Sequence, residues 1–121
     1  MVLVDTSIWI DHFRYNNDQL VELLNGGKVF CHPFIIGELA CGNIKNRKEI
    51  ISYLEALPQS FQVEHVEVMI FIEKNQMMGK GLGYIDMTIL ASSLVTGIPL
   101  WTLDKRLNSI ANKLNISFSK Y

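Results

Sequence analysis

Residues 84–107 read YIDMTILASSLVTGIPLWTLDKRL, and the interpretation of this stretch decides the fold. An apolar helix opens with a carboxylate, Asp86, and breaks at Gly97-Ile98-Pro99. Leu100 to Leu103 then reads as a short apolar strand that runs out at a second carboxylate, Asp104. In a parallel sheet the start of such a helix and the C-terminal end of the strand after it lie on the same edge. The two acids can therefore converge although 104 − 86 = 18 residues separate them. That edge is where open α/β sheets bind their ligands.

Working outward, Val2 to Val4 has the character of a buried parallel strand and ends at Asp5-Thr6-Ser7, from which a helix starts near Ser7. Asn16-Asn17-Asp18 caps a second helix closed by Gly26-Gly27, and Lys28 to Cys31 forms a second strand. Pro33 opens a third helix, PFIIGELACGN, apolar nearly all round and so expected to be buried, with Glu38 as its only charge. A fourth runs from about Arg47 to Leu57, where Pro58 stops it. Phe61 to Val63 fits either a short strand or extended chain. A long helix from His65 to about Met78 carries apolar residues on more than one face. After Asp104 come a helix from Lys105 to Asn115 and a closing strand, Ile116 to Phe118. The order β-α-α-β-α-α-(β)-α-α-β-α-β predicts an α/β fold, a three-layer sandwich with a mostly parallel central sheet, as a single domain over residues 1–121.

Hydrophobic residues make up 49% of the chain, enough for one core, and 11 Lys and Arg against 12 Asp and Glu leave bulk charge silent about a polyanionic partner. No apolar run approaches the roughly 20 residues of a membrane span, and the chain begins on VLVD without a basic leader, so a cytoplasmic protein with no membrane contact is expected. Cys31 and Cys41 lack metal-site spacing and read as reduced, largely buried thiols; His12, His32 and His65 are scattered.

Four acids occupy unusual places: Asp5 and Asp104 at strand ends, Asp86 at the start of an apolar helix, and Glu38 alone in an apolar one. Singly, the three aspartates could be helix caps, each stabilising by roughly 1 kcal/mol. Jointly, two strand ends and a helix start share one sheet edge. Carboxylates about 6 Å apart repel by about 3 kcal/mol per pair at an effective dielectric near 20, and a divalent cation resolves this. All-oxygen donors suit Mg²⁺ or Mn²⁺ rather than zinc, with Asp5 and Asp86 as the nearest ligands. Such an ion supports phosphodiester hydrolysis without a histidine base or a side-chain nucleophile. The hydroxyls of Ser7 and Thr102 are placed to orient water or the liganding carboxylates. Gly79-Lys80-Gly81-Leu82-Gly83 lacks the GxxxxGK[ST] spacing of a phosphate loop, and Asp5-Thr6-Ser7 does not meet the DxDxT pattern of an aspartyl phosphatase.

Basic residues stand beside the acids in sequence: Lys45, Arg47 and Lys48 after the Glu38 helix, Lys80 before Asp86, and Lys105 and Arg106 directly after Asp104. They are expected to form a cationic rim for a polyanion around an anionic pocket. The apolar faces of the His65 to Met78 helix, with Met69, Met77 and Met78, point to a homodimer contact.

The opening VDTSIWID, the acid of IIGEL, and the long YIDMTILASSLVTGIPLWTLDKRL resemble the PIN-domain family, and more narrowly the VapC-like ribonuclease toxins of bacterial toxin–antitoxin pairs. The resemblance spans essentially the whole chain. It places the family's four acids on Asp5, Glu38, Asp86 and Asp104; many relatives carry a further acid just after the fourth, where Leu107 and Asn108 stand here. What it implies is a metal-dependent endoribonuclease that cuts structured RNA, often tRNA or ribosomal RNA, and is held inactive by a cognate antitoxin protein. The residues alone reach a metal-carboxylate phosphodiesterase. The competing expectation is a non-catalytic PIN-like module that binds protein or RNA and whose acids are caps.

Overall fold

Val2, Leu3 and Val4 are each 0% exposed in the computed structural model, which describes residues 1–118. Successive strand residues face opposite sides of a sheet, so burial of all three means that both faces are covered. This strand, β1 (Val2–Val4), is the centre of a three-stranded sheet of order β2-β1-β3, with β2 at Val29–Phe30 and β3 at Leu100–Trp101. Both pairings are parallel, Val2 opposing Val29 on one side and Val4 opposing Trp101 on the other. Helices on both faces of this parallel sheet make the expected three-layer α/β sandwich.

Parallel neighbours need long crossovers, and helices supply them: α1 (Thr6–Tyr15), α2 (Asp18–Asn25), α3 (Pro33–Ala40), α4 (Arg47–Ala56), α5 (His65–Lys74), α6 (Tyr84–Thr96) and α7 (Lys105–Lys113). Their starts follow local chemistry. Asn17 Oδ1 accepts from the Leu20 N–H at 3.0 Å, Asp104 Oδ1 from the Leu107 N–H at 3.0 Å, and His32 Nδ1 from the Phe34 N–H at 2.9 Å ahead of Pro33. Gly97 ends α6 with φ 76°, a left-handed turn that glycine adopts without steric cost, and its N–H donates to the Ser93 carbonyl. Helix α1 packs on α3, α3 on α4, α5 on α6, and α7 on β3.

Several expected elements are shorter than their hydrophobic runs. The closing strand at Ile116 to Phe118 is a single bridge from Ser117 to Leu100, and Phe61 to Val63 is not a strand; the bridge at that edge joins Gln59 to Cys31. Helix α5 ends at Lys74 rather than near Met78, because Gln76 turns left-handed at φ 52° and the Met77 N–H reaches back to the Ile72 carbonyl. Met77 thereby folds into the core at 4% exposure and is not part of a contact surface. The third helix is buried on one side only: Ile35, Ile36 and Leu39 face the core, while Phe34, Gly37 and Glu38 are exposed. Glu38 is thus a surface carboxylate, and Cys41, expected to be buried, is exposed as well. Among the described residues no helix is long and apolar enough to cross a membrane.

Candidate active site

Strands β1 and β3 are adjacent and parallel, so their C-terminal ends deliver Asp5 and Thr102 side by side; the Asp5 N–H donates to the Trp101 carbonyl at 2.9 Å. Thr102 Oγ1 donates to Asp5 Oδ2 at 2.7 Å, and Ser7 Oγ donates to the same oxygen at 2.9 Å. Each hydroxyl has one proton, so each must accept elsewhere. Ser7 Oγ accepts from the Leu103 N–H and Thr102 Oγ1 from the Asp104 N–H, both at 3.0 Å. The network joins two chain segments, residues 5–7 and 102–104, and leaves Asp5 Oδ1 as the oxygen available to a ligand. Although Asp5 occupies the N-cap position of α1, its side chain makes no capping bond. Asp104 does cap α7 through Oδ1, which leaves Oδ2 for other work.

Asp86 sits in the first turn of α6, half-buried. Burial pushes its carboxyl above the usual range, a backbone hydrogen bond with Gly83 pulls the other way, and the negative charges of Asp5, Asp104 and Glu38 raise it further. The four acids therefore share one electrostatic neighbourhood. A contact between His65 Nδ1 and the Tyr84 hydroxyl at 2.8 Å ties the start of α5 to the start of α6 and so locates Asp86. Glu38 lies on α3, where Thr6 Oγ1 donates to its Oε1 at 2.7 Å. Thr6 went unnoticed in the sequence, although its place directly after Asp5 in the first helical turn was the available signal.

An anionic, all-oxygen set of donors such as these four carboxylates would suit Mg²⁺ or Mn²⁺ better than zinc. Among the described residues no three His, Cys, Asp or Glu side chains stand close enough to hold an ion as they lie. Coordination requires oxygens at about 2.1 Å from Mg²⁺, whereas carboxylates influence one another over about 4–6 Å and beyond. The acids share a field without forming a closed cage.

This architecture has relatives. Residues 2–113 match the family model of the PIN domain. The chain belongs to the PIN-domain family. It is 41% identical over 121 residues to Ribonuclease VapC32 of Mycobacterium tuberculosis, in strains CDC 1551 / Oshkosh and H37Rv alike, across 99% of this chain and 98% of that protein. This degree of likeness makes it a VapC-like PIN domain. A crystal structure of PAE2754 from Pyrobaculum aerophilum shares its fold, with a TM-score of 0.60 over 89% of this chain and 77% of the other at 14% identity.

The basic residues of this PIN domain are distributed unevenly around the acids. Arg47 is committed to the fold: its guanidinium Nη1 donates to the Ala40 carbonyl at 2.5 Å and staples the turn between α3 and α4. Lys48 borders a shallow depression on α4 with Glu49 and Tyr53. The Arg106 guanidinium lies over Gly81, so close that a Cβ there would meet Nη1 at 2.7 Å. Lys80 and Lys105 are exposed. Lys45 lines a groove of about 510 Å³ between α1 and the end of α3, with Glu38 in its wall and Arg14 beside it.

Proposed function

We propose that this PIN domain is a divalent-metal-dependent endoribonuclease that hydrolyses phosphodiester bonds in structured RNA, such as tRNA or ribosomal RNA, as the toxin of a toxin–antitoxin pair. The observation that carries the reading is the parallel pairing of β1 and β3, which sets Asp5 and Asp104 at one sheet edge joined through the Thr102 hydroxyl; Asp86, whose carboxyl is raised by burial first and then by the charges of Asp5, Asp104 and Glu38, starts α6. A set of mutually repelling carboxylates at the C-terminal edge of a parallel sheet is an arrangement that a cation stabilises. The relative named Ribonuclease VapC32 supports the same chemistry.

In this reading Asp5, Asp86, Asp104 and Glu38 would hold Mg²⁺ or Mn²⁺. When bound, the ion polarises a phosphoryl oxygen and lowers the pKa of coordinated water. The chain's own contribution is orientation. Ser7 and Thr102 fill Asp5 Oδ2 and so direct Oδ1 at the ligand, Thr6 holds Glu38, and the cap to Leu107 fixes the rotamer of Asp104. Lys80, in the loop before Asp86, and Lys105 and Arg106, directly after Asp104, are exposed and would offer positive charge to the RNA backbone.

The partners in this reading are RNA, a cognate antitoxin protein and a second copy of the chain, in the cytoplasm. For the homodimer the support is a stripe on α5: Val66, Met69 and Ile70 are 62%, 48% and 59% exposed on the side opposite Val68 and Phe71, with Tyr84 and Ile85 of α6 also exposed. One observation favours the alternative, a non-catalytic binding module: Asp104 serves as a helix cap. Mapping RNA 5′ ends in cells after induction separates the two. Wild type should generate new, discrete ends that Asp5→Ala does not; identical maps from both proteins would sink the nuclease reading.

A further inference from the structure

Glu38 belongs to two places at once. On one side its Oε1 accepts from Thr6, the residue next to Asp5; on the other it lines the groove of about 510 Å³. The groove runs along α1, lined there by Ile10, Phe13 and Arg14, which share a helix face with Thr6, whose hydroxyl holds Glu38. At 1.5 Å per residue Arg14 stands about 12 Å along the axis from Thr6, so the groove extends well past the acids. Its lining combines apolar Ile10, Phe13, Leu39 and Ile44 with Arg14, Lys45 and the amide of Asn43. The turn that presents Asn43 to Lys45 is stapled by Arg47 onto the Ala40 carbonyl, so this wall is built before any ligand arrives.

We propose that this groove is a nucleotide subsite, taking an unpaired nucleotide of the RNA next to the scissile phosphate. The inference rests on the ribonuclease reading and adds where the chain beyond the cut is held. Continuity decides the occupant: a strand whose phosphate lies among the acids must leave the cleft past one of its walls, and Glu38 opens directly onto this groove. Charge agrees, because Arg14 and Lys45 supply two cations to the lining against the one carboxylate of Glu38. The volume lies within the roughly 300–1,000 Å³ of small-ligand sites, and an apolar lining with one aromatic ring and one amide suits a base, its face on Phe13 and its edge toward Asn43.

The test is binding of a fluorescently labelled single-stranded oligoribonucleotide, about 6 nucleotides long, in EDTA so that nothing is cleaved, across about 50 to 200 mM salt. Arg14→Ala/Lys45→Ala should weaken binding at least ~10-fold at the low-salt end and flatten the log–log salt slope by about 1.4, the value for two lost phosphate contacts on a single strand. Arg14→Lys/Lys45→Arg should restore most of it, with thermal melting confirming that each variant is folded. Amide and methyl NMR signals of Phe13 and Ile44 should shift on titration with the same oligonucleotide. If wild type binds RNA and the double alanine variant binds it equally with the same slope, the subsite is overturned while the nuclease reading stands. If RNA leaves the Phe13 and Ile44 signals unmoved, the proposal fails. Wild-type hydrolysis of bis(p-nitrophenyl) phosphate with Mn²⁺, a substrate too small to span cleft and groove, checks the parent reading separately. Its absence together with absent RNA binding overturns both.

Discussion

Thr102 donates its hydroxyl proton to Asp5 Oδ2 at 2.7 Å across a sequence separation of 97 residues, and accepts the Asp104 N–H in return. One hydroxyl therefore fixes two of the four acids. Thr102→Val keeps the shape but removes both bonds, leaving a buried carboxylate oxygen short of a donor and the Asp104 N–H without its acceptor. The expected loss is about 1–3 kcal/mol in urea unfolding, with Thr102→Ser close to wild type. Ribonuclease turnover should fall with it, since Asp5 loses its fixed rotamer.

Neutralising Asp86 should separate stability from activity. Burial and the charges of Asp5, Asp104 and Glu38 all disfavour its ionised form, so Asp86→Asn removes repulsion from the metal-free protein. The melting temperature in EDTA should rise by a few degrees while RNA cleavage in Mg²⁺ disappears. Added Mn²⁺ should stabilise wild type by mass action and leave Asp86→Asn unmoved. Cleavage by wild type undiminished in excess EDTA would remove the metal from the mechanism.

His32 gives the fold a pH dependence of its own. Burial lowers its pKa from 6.5 to about 4, and its Nδ1 is occupied as the acceptor that caps α3. Between these two values the unfolded chain binds a proton that the folded chain does not. The stabilisation is complete above about pH 6.5 and is lost as the pH falls towards 4, with a total on the order of 3 kcal/mol. Chemical denaturation at a series of pH values should show this slope, and His32→Asn, which keeps a capping acceptor but cannot titrate, should flatten it.

Gly81 is required twice, by its φ of +79° and by the Arg106 side chain 2.7 Å from where a Cβ would stand. Gly81→Ala should cost roughly 1–2 kcal/mol from the backbone conformation, plus whatever displacing the guanidinium adds. A double-mutant cycle with Arg106→Ala isolates the second part, because Gly81→Ala should cost less once the Arg106 side chain is gone. Additive losses would show that the two residues do not press on one another.

The α5 stripe predicts self-association. Ile70→Asp places a charge among exposed Val66 and Met69 without touching the core, which α5 meets through Val68 and Phe71. Light scattering at tens of micromolar should give twice the chain mass for wild type and the single mass for the variant. A single mass for both would end the dimer reading.

Local patterns in the sequence carried the architecture a long way. The apolar run Val2 to Val4 and the Gly97-Ile98-Pro99 break set β1 and the α6–β3 unit, and their order placed Asp5, Asp86 and Asp104 on one edge, because strand periodicity, caps and breakers are properties of neighbouring residues. The span of hydrophobic runs exceeded the span of hydrogen-bonded elements at α5 and β3, since burial can be satisfied by chain that pairs with nothing. Only the tertiary structure decided which side of α3 faces water and therefore that Glu38 is exposed, held by Thr6 of another helix. Likewise, the spacing of basic residues could not tell that Arg47 would turn back onto the Ala40 carbonyl while Arg14, from a distant part of the chain, would join Lys45 in one groove. Those outcomes depend on which helices pack together, and packing is a property of pairs of elements that no single stretch of sequence contains.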